Sequence, residues 1–275
     1  MALNNMFEIF SYDFMIRAFE AGLLLALVAP TIGIFFVVRH YAVMADTLAH
    51  VSLAGIAGGL FLGISSVWAA LLACVLAILG IEHIREQRRI SSDTVVALFL
   101  FGGLALGVIL MNLHPSAGVN VANYLFGSIL TVTSTSVFSI AVIAALTLFI
   151  AWIGRQTFFA ISLDEDVARA VGLPVRFFNR LLAILGAATI AISIHVVGVL
   201  LIGALMVIPV LTAMQLRRGF KATWFVALLV SLLSVCFGLT ISYYLNVASG
   251  AMIVLCAIGC FLLTTIFSRW TGRFS

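Results

Sequence analysis

Residues 18–38 read Ala-Phe-Glu-Ala-Gly-Leu-Leu-Leu-Ala-Leu-Val-Ala-Pro-Thr-Ile-Gly-Ile-Phe-Phe-Val-Val, an apolar run with one charged side chain, Glu20. A helix needs about 20 such residues to cross the ~30 Å hydrocarbon core of a bilayer. Comparable runs recur at 41–63, 66–82, 94–113, 134–153, 177–194, 196–216, 223–245 and 249–268. The sequence therefore predicts an all-α integral membrane protein, a bundle of about nine transmembrane helices, or eight if one weak run only dips into the membrane.

The composition agrees with this fold class. Of the 275 residues, 64% are hydrophobic and 9% are charged, and the mean hydropathy is +1.28. A soluble domain has about 25% charged residues, so the composition excludes a soluble domain. No repeat and no low-complexity linker divides the chain, which predicts a single transmembrane domain over residues 1–275. The net charge of +4 does not indicate a nucleic-acid partner, because basic and aromatic residues are not interleaved in a solvated patch.

The basic residues predict the orientation. With nine crossings, every lysine and arginine except Arg17 falls on one side of the membrane. The positive-inside rule makes that side the cytoplasm, with the N-terminus outside and the C-terminus inside. Residues 177–216 must then cross twice, with an outer turn near His195–Gly198, since one crossing would place Arg217 and Arg218 outside. The segment 119–133 is too polar and short to cross, which predicts a re-entrant or surface helix on the outer side.

Pairs of glycines predict where helices pack closely. Gly55 with Gly59, and Gly103 with Gly107, have the spacing of a small-xxx-small motif. Such pairs lie on one helix face and allow two backbones to approach. We therefore expect close helix contacts at both pairs.

Two ionisable side chains lie inside the second run. The stretch Met44-Ala-Asp-Thr-Leu-Ala-His-Val-Ser-Leu-Ala-Gly55 places Asp46 and His50 four residues apart, on one helix face. Ionisable residues at membrane depth are costly and are usually functional or paired. The structural alternatives are an ion pair between Asp46 and Arg39 and a hydrogen bond from His50 to a carbonyl. A carboxylate beside an imidazole suits a divalent cation, so we favour a metal site.

The loop between the fifth and sixth runs predicts a short cytoplasmic helix. It reads Ile161-Ser-Leu-Asp-Glu-Asp-Val-Ala-Arg-Ala-Val-Gly-Leu-Pro174. Ser162 with Glu165 is a capping-box pattern, and acidic residues in the first turn suit the helix dipole. Gly172 is a typical C-terminal stop. The helix is either an ordinary linker or a docking element for a soluble partner.

The sequence contains no recognisable catalytic motif and no nucleotide-binding motif. It contains no Gly-Lys pair and therefore no Gly-x-x-x-x-Gly-Lys-Ser/Thr phosphate loop. Any ATP hydrolysis must come from another polypeptide. No set of nucleophile and base is recognisable, and no permanently bound cofactor is expected.

These motifs resemble the zinc/manganese permease family of ATP-binding-cassette (ABC) importers, in which a helix carries Asp-x-x-x-His followed by small residues. The sequence Asp46-Thr-Leu-Ala-His50 is more similar to the zinc branch than to the manganese branch. Further matches run along nearly the whole chain, from about residue 18 to residue 265: Tyr124-Leu-Phe-Gly-Ser128, Val197-Gly-Val-Leu-Leu201 with Ala204 to Pro209, and Ser249-Gly-Ala251.

The resemblance implies a type II ABC importer-like permease that takes up zinc across the bacterial plasma membrane by alternating access. It implies a homodimer of permeases, two ATPase subunits and an extracellular solute-binding protein that hands over the ion. Asp46 and His50 would be metal ligands. His195 at the proposed outer turn is a further candidate to receive the metal, but the resemblance does not require a histidine there, and an interfacial histidine is the alternative interpretation. The short cytoplasmic helix is similar to the coupling loop that engages the ATPase, and the matching residues are Asp166, Ala168, Ala170, Gly172 and Leu173.

Other functions stay open on the residues alone. Carboxylate and imidazole ligands do not choose between zinc and manganese or iron, because availability as well as affinity selects the metal. A proton-coupled secondary carrier would use Asp46 and His50 as a proton relay. The short helix argues against that carrier, which has no ATPase to dock, and the missing catalytic set disfavours an intramembrane enzyme.

Overall fold

The computed structural model describes residues 11–39, 41–86, 92–113, 125–128, 130, 132–194, 196–199 and 201–270. Across these residues the chain is helical and contains no β-strand, which confirms the predicted all-α class. Ten helices have both ends within the described residues: α1 Asp13–Val38, α2 Ala42–Leu62, α3 Ser66–Glu86, α4 Ser92–Leu113, α5 Ser134–Leu163, α6 Glu165–Ala170, α7 Val175–Ser193, α8 Ile202–Met214, α9 Phe220–Leu245 and α10 Ser249–Trp270.

Eight of these helices are long and apolar enough to cross a membrane, namely α1 to α5, α7, α9 and α10. The seventh predicted run, 196–216, forms only the 13-residue helix α8. At 1.5 Å per residue α8 spans about 20 Å, less than the ~30 Å core of a bilayer. The prediction of a helix from residue 196 is therefore wrong, because Gly198 has a φ of +85° that a right-handed helix does not allow.

The core of the bundle is built around α1. This helix packs against α5, α7, α8 and α9. Gly33 brings α1 so close to α8 that a Cβ atom at Gly33 would overlap the backbone oxygen of Met206. The second helix, α2, packs mainly against α3 and α4, and it also contacts α7 and α8. As a result α8 lies between α1 and the helix that carries Asp46 and His50.

Both predicted glycine pairs form close helix contacts. Gly55 and Gly59 of α2 face α3, where added Cβ atoms would lie 2.7 Å from the Cβ of Ala73 and 2.5 Å from the Cβ of Ala69. Gly103 and Gly107 of α4 face α2, with Val51 and Ala54 at 2.9 and 3.0 Å from the added Cβ atoms. The small-xxx-small prediction is confirmed, and these contacts hold α2 between two neighbouring helices.

Three segments that are distant in sequence meet in one glycine junction, formed by residues 125–128, 196–198 and 249–250. A Cβ atom at Gly198 would overlap the backbone of Gly127, and one at Gly250 would overlap the carbonyl oxygen of Val197. Ser249 Oγ donates a hydrogen bond of 2.8 Å to the carbonyl oxygen of Val196. The irregular chain before α8 is thus buried in protein, as backbone at membrane depth must be. The rest of the predicted re-entrant segment 119–133 lies largely outside the described residues.

Candidate functional site

The side chains of Asp46 and His50 lie on the face of α2 that the rest of the chain leaves open. Asp46 is exposed and His50 is half-buried, whereas their neighbours Thr47, Leu48 and Ala49 are buried. On the same face, Val43 near the start of α2 is 59% exposed. Further along this face Leu53, Ala54 and Ala57 are buried, and Phe61 at the far end is 53% exposed. The predicted pairing of a carboxylate and an imidazole on one face of a membrane helix is therefore present.

The carboxylate of Asp46 lies over the first turn of α8. Gly203 is the second residue of α8, and a Cβ atom there would overlap Asp46 Oδ1. Only glycine leaves room for the carboxylate at this point. The first backbone N–H groups of a helix have no partner within the helix, and the helix dipole places a partial positive charge there. The short α8 thus begins inside the bundle, where its N-terminus favours the negative charge of Asp46.

The polar atoms of the pair are not used by structural partners. Among the described residues, the buried His50 Nδ1 has no hydrogen-bond partner. Arg39 does not pair with Asp46, because it donates to Glu165 Oε2 at 3.0 Å and to Asn179 Oδ1 at 2.8 Å. Both structural alternatives for this pair are therefore absent from the described part of the chain. Asp46 and His50 remain available for a ligand.

One chain supplies only part of a metal shell. The described residues contain no group of three or more histidine, cysteine, aspartate or glutamate side chains that could hold a metal ion. His195, the third predicted metal residue, lies outside the described residues. A closed structural zinc site uses four protein ligands. As candidate ligands, Asp46 and His50 of one chain would make only an incomplete shell.

The predicted cytoplasmic helix is α6, but its N-cap differs from the prediction. Ser162 lies within α5, which continues to Leu163, so the predicted capping box of Ser162 with Glu165 is wrong. Asp164 is the N-cap, and its carboxylate accepts hydrogen bonds from the N–H groups of Asp166 and Val167 at 2.9 and 3.0 Å. Aspartate is itself a strong N-cap, so Asp164 takes the role that we assigned to Ser162.

Helix α6 ends at Ala170 with Val171 as the C-cap, and Gly172 follows as the predicted C-terminal stop. Gly172 has a φ of +87°, its N–H donates to the carbonyl oxygen of Arg169, and the N–H of Leu173 donates to that of Ala168. These two bonds make the complete Schellman motif, which favours glycine at the left-handed position. The six-residue helix therefore has a defined end on both sides.

The exposed surface of α6 matches the predicted docking surface only in part. Ala168 is buried against Ile161 and Val175 of the same chain, so its side chain adds nothing to the exposed surface of α6, and its part in ATPase coupling stays a prediction. An alanine that packs inward in this way fixes the helix to the bundle. The predicted residues Asp166, Ala170 and Gly172 are exposed and Leu173 is half-buried. Two apolar side chains that we did not single out complete the exposed surface, namely Val167 at 58% and Val171 at 75%.

A groove of about 1110 Å³ lies beside α6, between the ends of α3 and α7. Four arginines and two glutamates are among its lining residues, namely Arg85, Arg169, Arg176, Arg180, Glu82 and Glu165. The arginines outnumber the glutamates, so the groove favours an acidic partner surface. Glu165 joins this region to α1, since its two oxygens accept from Arg39 and from Arg169 at 3.0 and 2.9 Å.

Sequence reasoning missed Gly203 and the ion pair between Arg39 and Glu165. A glycine inside an apolar run signals a close approach, but it does not show what approaches. Arg39 and Glu165 are 126 positions apart, and no local pattern joins them. Both contacts depend on the packing of the whole bundle.

The chain is similar to known metal transport proteins over nearly its full length. The profile of the ABC 3 transport family matches residues 11–268. A probable metal transport system membrane protein of Treponema pallidum (strain Nichols) is 34% identical, and the match covers 95% of this chain and 98% of that protein. The high-affinity zinc uptake system membrane protein ZnuB of Haemophilus influenzae is 30% identical, with 94% of this chain and 98% of ZnuB covered.

The relatives carry names for more than one metal. The manganese transport system membrane protein MntC of Listeria innocua is 30% identical, covering 95% of this chain and 93% of MntC. The chelated iron transport system membrane protein YfeD of Yersinia pestis is also 30% identical, covering 98% of this chain and 90% of YfeD. The family assignment therefore fixes metal transport and does not fix the metal.

A solved structure shows the same fold. In the structure of PsaBC from Streptococcus pneumoniae in complex with Fab, the matched chain is 30% identical to this one. The two superpose with a TM-score of 0.87 over 96% of this chain and 95% of the other. The chain therefore belongs to the ABC 3 transport family and is a multi-pass membrane permease of the metal-importing ABC type.

Proposed function

We propose that the chain is the permease of an ATP-driven zinc importer and that the ion passes between two copies of the chain along α2. The observation that carries this proposal is the exposed carboxylate of Asp46 on a membrane-spanning helix. A charged side chain that faces lipid is costly, so such residues face a partner or a water-filled path. His50 lies one turn along the same face and adds a second ligand type for a divalent cation.

The proposed homodimer follows from the same open face. A second copy of the chain would cover α2, shield Asp46 from lipid and enclose a path. In a chain without its four native cysteines, a cysteine at Val43 or at Phe61 should cross-link two copies with a bifunctional thiol reagent in membranes. Phe149 on α5 is 59% exposed and is the matched control, because it lies away from α2. Equal yields from Phe149→Cys, or none from either α2 position, would contradict a dimer through α2.

Zinc is the ion that this arrangement suits best. Two facing copies would bring two carboxylates and two imidazoles, and zinc is usually bound by four such ligands. Manganese prefers six oxygen-rich ligands. The permease, reconstituted with its ATPase and binding protein, should take up zinc in preference to manganese when each is limiting. Preferential uptake of manganese or iron would overturn the zinc assignment and leave the permease assignment intact.

The energy source in this proposal is a separate ATPase that docks on α6. The exposed Val167 and Val171 would enter the partner, and the adjoining arginine-rich groove would meet acidic residues. ATP binding and hydrolysis in the partner would then move the two permeases between outward-open and inward-open states, so that the path opens to one side at a time. On the other side of the membrane, a solute-binding protein would deliver the ion.

We also propose that the basic end of this single permease domain lies in the cytoplasm, with the N-terminus outside and the C-terminus inside the plasma membrane. Helix α8 and the chain that leads into it from α7 would together make one further crossing. In the cysteine-free chain, Arg218→Cys should resist an impermeant thiol reagent in intact cells, whereas Val247→Cys should react. Both positions are exposed, so access by the reagent reports the side of the membrane. The reverse pattern would show that residues 194–214 do not complete a crossing.

A further inference from the structure

A second cavity, of about 1210 Å³, opens between α1, α5 and α9. Its wall is apolar over most of its area, with Leu27, Phe35, Leu148 and Leu228 among the lining residues. None of its lining residues belongs to α2, α6 or α8. The cavity is therefore separate from the open face of α2 and from the helix that we propose to dock the ATPase.

Two cations stand at one end of this apolar cavity. Arg155 of α5 and Lys221 of α9 both line it, and both are exposed. Within the described residues neither has an acidic partner or a hydrogen-bond acceptor. The Arg155 guanidinium instead lies 5.5 Å from the centre of the Trp152 ring. Two positive charges without counter-ions at the edge of an apolar cavity attract a negatively charged group.

Two tryptophans mark the depth of this site. Trp152 and Trp224 line the same cavity, and Trp224 Nε1 donates to Thr31 Oγ1 at 3.2 Å. Tryptophan is enriched where the hydrocarbon core meets the headgroups. By this preference, the apolar part of the cavity would lie at acyl-chain depth, and Arg155 and Lys221 would lie at headgroup depth.

We propose that this cavity binds one phospholipid with an anionic headgroup. An acyl chain would fill the apolar part, and the phosphate would lie between Arg155 and Lys221. A lipid is apolar along its length and negative at its end, which matches the arrangement of the wall and the two cations. Basic pockets between membrane helices are known to hold anionic headgroups in this way. The proposal does not depend on the transported metal.

The two tryptophans allow a direct test. The full-length chain with Trp68→Phe and Trp270→Phe is placed in nanodiscs of phosphatidylcholine that contain increasing amounts of a lipid with brominated acyl chains, which quench tryptophan on contact. Brominated phosphatidylglycerol should reach half-quenching at a mole fraction at least about fivefold lower than brominated phosphatidylcholine, the factor expected for one cation near a headgroup.

Neutral substitutions then assign the preference to the two cations. Arg155→Gln with Lys221→Gln should bring the two half-quenching points together. Arg176→Gln with Arg180→Gln removes the same charge outside the cavity and should preserve the preference. Equal quenching by both lipids, or a preference that survives the loss of Arg155 and Lys221, would overturn the proposal. Absence of quenching by either lipid would also overturn it, because the cavity would then hold no lipid.

Discussion

Asp46→Asn and His50→Ala should each reduce zinc uptake at limiting metal by at least about a hundredfold. Loss of an outer-shell partner alone typically costs about 10- to 100-fold in metal affinity, and these side chains are the proposed direct ligands. The measurement is uptake of radioactive zinc by cells that lack other zinc importers, with the amount of permease and its association with the ATPase measured in parallel. Neither side chain packs in the core, so both variants should fold.

Two matched controls sharpen this experiment. Thr47→Val changes the residue next to Asp46. Thr47 is buried and its hydroxyl donates to the carbonyl oxygens of Val43 and Val96, so it is not available to the ion and uptake should stay near normal. Gly203→Ala keeps both ligands and displaces the Asp46 carboxylate, so uptake should fall. Gly259→Ala, where an added Cβ atom meets open space, should have no effect. Normal zinc uptake by His50→Ala would remove His50 from the path.

Val171→Asp should separate the permease from its ATPase while the membrane bundle stays folded. Val171 is 75% exposed, so a charge there is harmless in the free chain. In a docked interface the carboxylate would be buried without a partner, at a cost of about 3–5 kcal/mol. Since 1.4 kcal/mol corresponds to a tenfold change, the affinity for the ATPase should fall by about a hundredfold or more. Co-purification of the ATPase and metal-stimulated ATP turnover measure the effect.

The matched control is Val171→Thr, which keeps the shape and adds no charge, and which should retain the complex. Gly172 is a poorer site for the test, because its φ of +87° would strain any other side chain and confuse misfolding with undocking. Normal complex yield and normal ATP turnover in Val171→Asp would mean that α6 is only a linker. Thermal unfolding of the purified permease distinguishes these outcomes from a general loss of structure.

Much of the fold could be predicted because lipid imposes a simple rule on sequence. A helix that crosses a bilayer must be apolar over about 20 residues, so the eight long helices are visible as runs. The spacing of Asp46 and His50 also fixes their shared face, because helical periodicity is local. The sequence did not show that the run 196–216 begins before its helix does, since the residues before α8 are as apolar as those of a membrane helix.

The features that the sequence left hidden depend on partners far along the chain. Gly198 interrupts the helix in the run 196–216, and its left-handed backbone packs against Gly127 and near Gly250. Ser162 and Asp164 are both favourable N-cap residues, and the structure places Asp164 at the N-cap of α6. Ser162 does not cap α6 because α5 continues to Leu163, and hydrophobicity does not mark where α5 ends.

The glycine junction has a consequence for how the protein is made. The chain enters the membrane from its N-terminus, so α7 and α8 leave the ribosome before α10. The carbonyl oxygen of Val196 is bonded by Ser249, the first residue of α10, and the turn around Gly198 packs against the same helix. Until α10 arrives, the carbonyl oxygen of Val196 lacks this hydrogen bond, and a backbone group without a partner is costly in hydrocarbon. We therefore expect the newly inserted α7 and α8 to remain beside the insertion machinery or in contact with water. The bundle is complete only when α10 inserts and completes the glycine junction.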